Sequence, residues 1–283
     1  MLPLRQIVQN AKRALPYSRS MSASGPLVDV KVNGDEVATV TMQRLPVNSL
    51  NLDLLEAMNA TLDDLKKNKV RGMILTSASP TVFSAGLDIM EMYKPEAKRV
   101  EKFWRTLQDV WMKLFSSPYP TAAAINGHSP AGGCLLAMSC EYRVMVSGKF
   151  KIGLNETALG IVAPFWFQDT MKNTISTRET ELALTTGRMF SIDEALKIGL
   201  IDEAASDKAD AISKCEGFIS KFERIPPLAR AYTKEVLRGE IVNKLAKNRD
   251  KDLQAFLQLI TQPKVQQGLE FYISMLKEKK QKI

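Results

Sequence analysis

The chain has 283 residues, of which 45% are hydrophobic and 25% are charged, a composition typical of globular proteins. Its net charge is +8, yet no block of five or more like charges occurs, so we expect no nucleic-acid partner. No apolar run reaches the length of about 18 residues that a membrane span needs.

The cysteine and histidine content predicts neither a disulfide framework nor a metal site. Cys134, Cys140 and Cys215 are an odd number of cysteines without a CxxC spacing, which disfavours disulfide bonds. His128 is the single histidine of the sequence, and no group of cysteine and histidine has the spacing of a zinc site.

Residues 1–24 have the pattern of a mitochondrial transit peptide. They contain basic residues and no acidic one, since the first acidic residue of the chain is Asp29. Apolar residues recur on one helical face from Leu4 to Leu15, and a serine-rich stretch follows them. The pattern therefore predicts import into the mitochondrial matrix, and a basic tail without a function is the alternative interpretation.

The first predicted elements in chain order are a hairpin and two helices with a strand between them. Alternating apolar residues on both sides of Asn33-Gly34 predict the β-hairpin. Apolar residues at helical spacing predict helices at 55–65 and 100–114, and the short apolar run at 72–75 is typical of a buried strand. We assign the aromatic residues of the second helix to the core rather than to a ligand site.

Strands and helices continue to alternate as far as about Pro164. Strands are predicted at 122–125 and 142–146, and a short buried helix is predicted at 134–140. This alternation indicates an α/β fold with a largely parallel sheet. Beyond Pro164 the sequence predicts no further strand.

The last third of the sequence is predicted to be helical. Ser191 and Glu194 have the spacing of a capping box, and apolar residues at helical spacing predict a final helix at 265–276. The predicted domain organisation is an α/β core at 25–220 followed by a helical region at 221–283. The sequence leaves open whether those helices pack on their own core or on a neighbouring subunit.

Two glycine-containing turns have features of a binding site made of backbone atoms. Residues 83–88 have the sequence FSAGLD and residues 126–134 the sequence NGHSPAGGC, and each turn is predicted to lead from a strand into a helix. Small residues let a ligand approach the backbone closely, and the first N–H groups of a helix lack partners within it. Two such turns that face one cavity can form an oxyanion hole, whereas either turn by itself is better explained as a tight turn.

Glu156 is the candidate acid–base residue. It lies in the sequence IGLNET and is followed by the apolar stretch at 158–162. A carboxyl group in apolar surroundings has a raised pKa, which suits it to accept and return a proton near neutral pH. An exposed glutamate in a loop is the alternative interpretation of the same stretch.

In combination, FSAGLD, NGHSPAGGC and IGLNETALGIVAPFW resemble the crotonase (enoyl-CoA hydratase/isomerase) superfamily, and the resemblance extends from Val28 to the C-terminus. It implies an α/β fold of the ClpP/crotonase type, a spiral of ββα units with a C-terminal helical trimerisation region. It also implies that the substrate is an acyl-CoA thioester and that the assembly is a homotrimer, with trimers sometimes paired into hexamers. No metal or other cofactor is implied, because coenzyme A is part of the substrate.

The same resemblance implies roles for individual residues. The backbone N–H groups of Leu87 and Gly132 would bind the thioester oxygen, and Glu156 would be the catalytic acid. The substrate-binding residues that the resemblance implies are Ala85, Gly86, Leu87, Asp88, Ile89 and Gly132.

The residues that adjoin these positions have less specific predictions. Asp88 is predicted to cap the helix that follows it. Asn155 either orients Glu156 or only caps a turn. Phe165 and Trp166 either line the acyl end of the pocket or pack in the core, and we expect core packing for at least one of them.

Leu135 distinguishes this sequence from the hydratases that it resembles, which have a glutamate at the matching position. Hydration needs one carboxylate to activate water and another to manage the proton at the α-carbon, whereas isomerisation needs a single base. The resemblance therefore favours an isomerase that converts cis- or trans-3-enoyl-CoA into trans-2-enoyl-CoA in the β-oxidation of unsaturated fatty acids.

Several other functions are alternatives. Enoyl-CoA hydration and dienoyl-CoA isomerisation would use the same fold, and so would a non-catalytic protein that binds acyl-CoA or RNA. A serine hydrolase is disfavoured, because residues 127–131 only approach the GxSxG motif and the single histidine directly precedes Ser129.

Overall fold

The computed structural model describes residues 25–281, so the predicted transit peptide at 1–24 lies outside the described residues. A six-stranded sheet forms its centre, in the order β1-β2-β3-β4-β6-β8, and β5 and β7 pair separately. The strands are β1 (Val28–Val32), β2 (Val37–Met42), β3 (Gly72–Ser77), β4 (Thr121–Ile125), β5 (Ser129–Pro130), β6 (Tyr142–Val146), β7 (Ile152–Gly153) and β8 (Glu203–Ala205).

The sheet confirms the predicted hairpin and the predicted parallel layer. Strands β1 and β2 are antiparallel, and the Asn33 side chain accepts hydrogen bonds from the backbone N–H groups of Asp35 and Val37 in the turn between them. The other neighbouring strands of this sheet are parallel.

Strand β8 corrects the expectation that no strand follows Pro164. It pairs in parallel with β6 at the edge of the sheet. A strand of three residues has too little alternation for the sequence to reveal, and its position depends on the partner strand rather than on its own pattern.

The helices in chain order are α1 (Leu52–Lys67), α2 (Ala97–Phe115), α3 (Gly132–Ser139), α4 (Phe165–Lys172), α5 (Thr177–Thr186), α6 (Ile192–Lys197), α7 (Lys208–Ser220), α8 (Pro227–Ile260) and α9 (Pro263–Gln281). Several of them, namely α1, α2, α5, α6 and α7, begin at a residue whose side chain caps the first turn. Asn51 accepts a hydrogen bond from the backbone N–H of Leu54 at the start of α1. The predicted capping box of Ser191 and Glu194 is confirmed at α6. No helix between residues 25 and 281 is long and apolar enough to cross a membrane.

The core lies between the sheet and the helices that cover it. The aromatic residues of α2 are buried, as predicted, and Trp111 packs against Phe115 and Trp166. The Trp111 indole donates a hydrogen bond to the hydroxyl of Thr170 on α4, which satisfies its polar edge inside the core.

The two halves of α8 differ in how they use their apolar residues. A residue with non-helical backbone angles, Asn248, interrupts the helix. After it, Leu253, Phe256 and Ile260 are buried against the core of the same chain. Before it, a row of large apolar side chains is exposed: Leu228, Tyr232, Val236 and Leu237. Packing on the core of the same chain therefore begins at the end of the first half, where Leu245 is buried, and continues through the second half.

Candidate active site

The turn at 83–88 holds the backbone N–H of Leu87 in an exposed orientation. The residues on both sides of Leu87 are held by Leu50. The N–H of Leu50 donates to the carbonyl of Gly86, and the carbonyl of Leu50 accepts a hydrogen bond from the N–H of Asp88. Gly86 has a φ of +84°, a conformation that favours glycine. Within residues 25–281 the N–H of Leu87 has no acceptor.

The helix predicted to follow this turn is a short 3-10 helix, Ile89–Glu91. Asp88 caps it as predicted, since its carboxylate accepts a hydrogen bond from the N–H of Met90. The same carboxylate forms an ion pair with Arg44, at 2.8 Å. The structure thus directs the side chain of Asp88 into local contacts, and the turn contributes to the site through its backbone.

The second turn leads from β5 into the start of α3. Ala131 donates its N–H to the carbonyl of Gly153 and adopts a φ of +49°, which is uncommon outside glycine and costs free energy. Gly132 is the first residue of the helix, and its N–H has no acceptor in the described part of the chain. The fold therefore leaves a second amide free, at the positive end of α3.

The two turns are in close contact, and their glycines make this possible. A β-carbon added to Gly132 would lie 3.4 Å from the nitrogen of Leu87 and 3.0 Å from the Leu50 side chain. A β-carbon added to Gly86 would lie 3.1 Å from the nitrogen of Gly132. The structure thus brings Gly86, Leu87 and Gly132 together, and two free N–H groups next to each other are the geometry of an oxyanion hole.

Glu156 begins the 3-10 helix Glu156–Leu159 that follows β7. Its side chain is buried, with 5% of the residue exposed, so it is not the exposed loop residue of the alternative interpretation. Neither carboxylate oxygen has a hydrogen-bond partner in the described structure. Burial raises the pKa of Glu156 to about 7, because the ionised form loses its hydration.

Glu156 and Leu87 line the same cavity. The other lining side chains are apolar and include Met92, Trp104, Phe167, Phe256, Leu259 and Ile260. Among the described residues, Glu156 is therefore the single titratable group on the wall of this cavity. A buried carboxyl group with a pKa of about 7, in a cavity that is also lined by Leu87 with its free amide, can move a proton beside a carbonyl group.

Several neighbouring predictions are settled by this geometry. Trp166 packs in the core, and the cavity is lined instead by Pro164 and Phe167. Asn155 makes no side-chain cap and no hydrogen bond to Glu156, and its side-chain oxygen is buried without a partner. His128 accepts a hydrogen bond from the N–H of Lys151, a structural contact that does not involve Ser129.

The sequence did not predict the contribution of α8 to this site. The residues concerned lie about a hundred positions after Glu156 and are Phe256, Leu259 and Ile260. Their apolar spacing predicts that they are buried, but it does not predict which surface they pack against. The sequence predicts only core packing for Trp104. It is buried there, and its ring also lines the cavity.

A larger cavity, of about 850 Å³, lies elsewhere, between the ends of α1 and α7 and the start of α8. None of Leu87, Gly132 and Glu156 lines it. We place the active site in the smaller cavity, because it is lined by the unpaired carboxyl group of Glu156 and by Leu87, whose free amide adjoins that of Gly132. Across residues 25–281, no group of three or more histidine, cysteine, aspartate or glutamate residues is arranged to hold a metal ion.

The fold and the site together define an α/β protein of the crotonase class, in which two free backbone amides lie next to each other and buried Glu156 lines the cavity beside Leu87. Residues 33–282 match the enoyl-CoA hydratase/isomerase family, and the chain belongs to that family. The predicted family and the predicted crotonase-like fold are thereby confirmed.

Known proteins of this family are similar over nearly the whole chain. Enoyl-CoA delta isomerase 1, mitochondrial, of Mus musculus is 44% identical over 278 residues, which are 98% of this chain and 93% of the relative. The Homo sapiens protein of the same name is 40% identical over 249 residues, or 87% and 82% of the two chains. The crystal structure of human mitochondrial delta3-delta2-enoyl-CoA isomerase superimposes with a TM-score of 0.87 at 40% identity, covering 90% of this chain and 99% of that chain.

Proposed function

We propose that this protein is an isomerase that converts cis- or trans-3-enoyl-CoA into trans-2-enoyl-CoA in the β-oxidation of unsaturated fatty acids. One observation carries the proposal: the cavity next to the two free amides contains a single unpaired carboxyl group, and the pKa of that group is about 7. The names of the similar mouse and human proteins support the same reaction.

The first step is the removal of a proton from the α-carbon. The thioester oxygen accepts hydrogen bonds from the N–H groups of Leu87 and Gly132, and the ionised carboxylate of Glu156 takes the proton. The electron pair of the broken C–H bond moves toward the oxygen and gives a dienolate. Each fixed donor stabilises such a developing charge by about 3 kcal/mol.

The second step returns the same proton to the γ-carbon. Protonated Glu156 donates it, the electrons of the dienolate shift, and the double bond comes into conjugation with the thioester. A pKa of about 7 suits both steps, because neither the acid nor the base form of Glu156 is strongly disfavoured at neutral pH. The apolar lining keeps water away from the intermediate.

Hydration is disfavoured by the surroundings of Glu156. The residue that replaces the hydratase glutamate, Leu135, is fully buried in α3. No second carboxylate from the described residues lines the cavity, so nothing there pairs with Glu156 to activate water.

The assembly, the location and the cofactor requirement belong to the same proposal. We infer a homotrimer, supported by the exposed apolar row on the first half of α8. The mitochondrial names of the relatives and the composition of residues 1–24 support a location in the mitochondrial matrix. The proton shift balances without a metal ion or a redox cofactor, so none is required.

The test is the formation of conjugated 2-enoyl-CoA from 3-hexenoyl-CoA, followed by its ultraviolet absorbance. We expect turnover by the wild type and a loss of about 10³-fold in Glu156→Gln, which keeps the shape of the side chain and removes the base. Glu181→Gln is the matched control, because Glu181 is exposed and pairs only with Arg178. A folded wild type that does not convert 3-hexenoyl-CoA would contradict the proposal, and conversion of a 2,5-dienoyl-CoA in its place would favour the dienoyl alternative.

A further inference from the structure

A second acidic residue, Asp252, is buried close to the cavity without lining it. It lies on the second half of α8, with 8% of the residue exposed. Its carboxylate accepts hydrogen bonds from the indole of Trp104 at 2.7 Å, from the side-chain amide of Gln108 at 2.8 Å and from the indole of Trp166 at 3.2 Å. No basic side chain from the described residues forms an ion pair with it. Asp252 thus connects α8 to both α2 and α4 through three neutral donors.

This carboxylate fixes the orientation of the Trp104 ring. The polar edge of the indole is bonded to Asp252, and its face stacks on Phe256 with the ring centres 3.6 Å apart and the planes at 9°. Asp252 and Phe256 are four residues apart and therefore share one face of α8. A single turn of that helix thus holds Trp104 by one edge and by one face.

The stacked pair belongs to the buried part of the cavity wall. Trp104 and Phe256 are both buried and both line the cavity that contains Glu156. Val162 also lines this cavity and is 64% exposed, so the cavity opens to solvent near Val162. If the reacting carbons lie beside Glu156, the remaining carbons of an acyl chain extend along the apolar wall toward the two rings.

We propose that Trp104 and Phe256 form the end wall of the acyl pocket and limit the length of the acyl chain, and that Asp252 is the positioning residue that holds this wall. The inference rests on the proposed function only in taking an acyl-CoA as the ligand of the cavity. An acyl chain that already reaches this wall gains no binding affinity from further methylene groups unless the two rings move. With the wall open, each added methylene that becomes buried gains about fourfold in affinity.

The wall is tested by binding rather than turnover, with hexanoyl-CoA and decanoyl-CoA as unreactive ligands. Isothermal titration of the full chain gives the ratio of the two dissociation constants. We expect Phe256→Ala to shift this ratio at least about tenfold in favour of decanoyl-CoA, because the removed ring opens space for methylene groups. Phe271→Ala is the matched control, since Phe271 is exposed on α9 and does not line the cavity.

Turnover adds a second readout for the same variants. For Phe256→Ala the quantity to compare is the KM with 3-hexenoyl-CoA and with 3-decenoyl-CoA, because removal of the ring changes the space available to the acyl chain. With 3-decenoyl-CoA we expect its KM to fall relative to that of the shorter substrate. An unchanged ratio of binding constants in both Phe256→Ala and the milder Phe256→Leu would overturn the end wall.

The positioning role of Asp252 has its own variants. We expect Asp252→Ala to shift the binding ratio about threefold or more in the same direction as Phe256→Ala, and Asp252→Asn, which keeps an acceptor oxygen, to stay closer to the wild type. Asp202→Ala controls for loss of structure, because it removes a carboxylate bonded to Arg143 at 2.8 Å, away from the cavity lining. If Asp252→Ala only lowers the melting temperature, as expected for Asp202→Ala, the positioning role is wrong.

The binding and turnover results also separate this inference from the proposed function. A shifted binding ratio in a protein that does not isomerise any 3-enoyl-CoA would retain the end wall and reject the isomerase. A wild type that binds neither hexanoyl-CoA nor decanoyl-CoA would reject the acyl pocket and with it the wall.

Discussion

Glu156 is buried and Glu141 is half-buried, and the surroundings of the two carboxyl groups are opposite. Glu141 precedes β6, and its carboxylate pairs with Arg230 and, at 2.9 Å, with Lys234 of α8. Burial by itself would raise the pKa of Glu141, but the charges of Lys234 and Arg230 outweigh burial and lower it. Glu156 has no such partner, and burial raises its pKa to about 7.

The difference shows that burial alone does not identify a catalytic carboxyl group. Glu141 is kept ionised and fastens the first half of α8 to the end of α3, which is a structural role. Glu156 is balanced between its two protonation states and faces a cavity with two free amides. The presence or absence of a cationic partner, rather than the degree of burial, separates the two roles.

The largest effect expected from this comparison is on stability. Glu141→Ala should lower the free energy of unfolding by about 3 kcal/mol, because it leaves two buried cations without their counter-ion. Glu156→Gln should not lower it at pH 7.5, because the carboxylate that it removes has no partner to lose. Urea unfolding at one fixed protein concentration measures both values. Equal losses in the two variants would show that the two sites are alike.

The pH dependence of stability sharpens the same contrast. The pKa of Glu156 is about 7 in the folded protein and near 4.5 in the unfolded chain, so the folded state binds more protons between these values. The contribution of this group is therefore fully present below about pH 4.5 and is lost as the pH rises to about 7, a change of about 3 kcal/mol. We expect the stability of Glu156→Gln relative to the wild type to increase over this range. A difference that stays constant from pH 5 to pH 8 would contradict the raised pKa.

A smaller effect, on kcat, is expected when the free amides are displaced and the charge of Glu156 is unchanged. Gly86→Ala places a β-carbon 2.9 Å from Ala131 and 3.1 Å from the nitrogen of Gly132, at a φ of +84°. It should displace one amide of the oxyanion hole and lower kcat by about 10²-fold. Gly217→Ala is the matched control, since a β-carbon there meets no atom within 4 Å. Similar kcat values for the two variants would argue against a role of the amides.

The smallest effect is expected for a substitution of Lys234, the second cation that pairs with Glu141. Burial lowers the pKa of Lys234 to about 8, so holding its charge inside the protein is costly. Lys234→Met should change the free energy of unfolding by no more than about 1 kcal/mol, because Arg230 continues to neutralise Glu141. Thermal unfolding of this variant beside Glu141→Ala gives the comparison. A loss as large as that of Glu141→Ala would mean that Lys234, rather than Arg230, is the main counter-ion.

Three features stay predictions: the transit peptide at 1–24, the division of the chain at residue 220 and the trimer. The last strand of the sheet, β8, escaped prediction because its three residues have little pattern of their own. The capping box of Ser191 and the hairpin at Asn33 were predictable, because caps and tight turns are formed by residues close together in the chain.

The sequence by itself determined the alternation of strands and helices, the two glycine turns and the apolar stretch around Glu156, because each is a local pattern of residue types. Only the tertiary structure decided that the amides of Leu87 and Gly132 lie side by side and that no cationic side chain of residues 25–281 pairs with Glu156. It also decided that Asp252 and Phe256 of α8 hold Trp104 at the end of the same cavity. Those contacts join segments far apart in the chain, and packing of the whole core selects them, so no local spacing could reveal them.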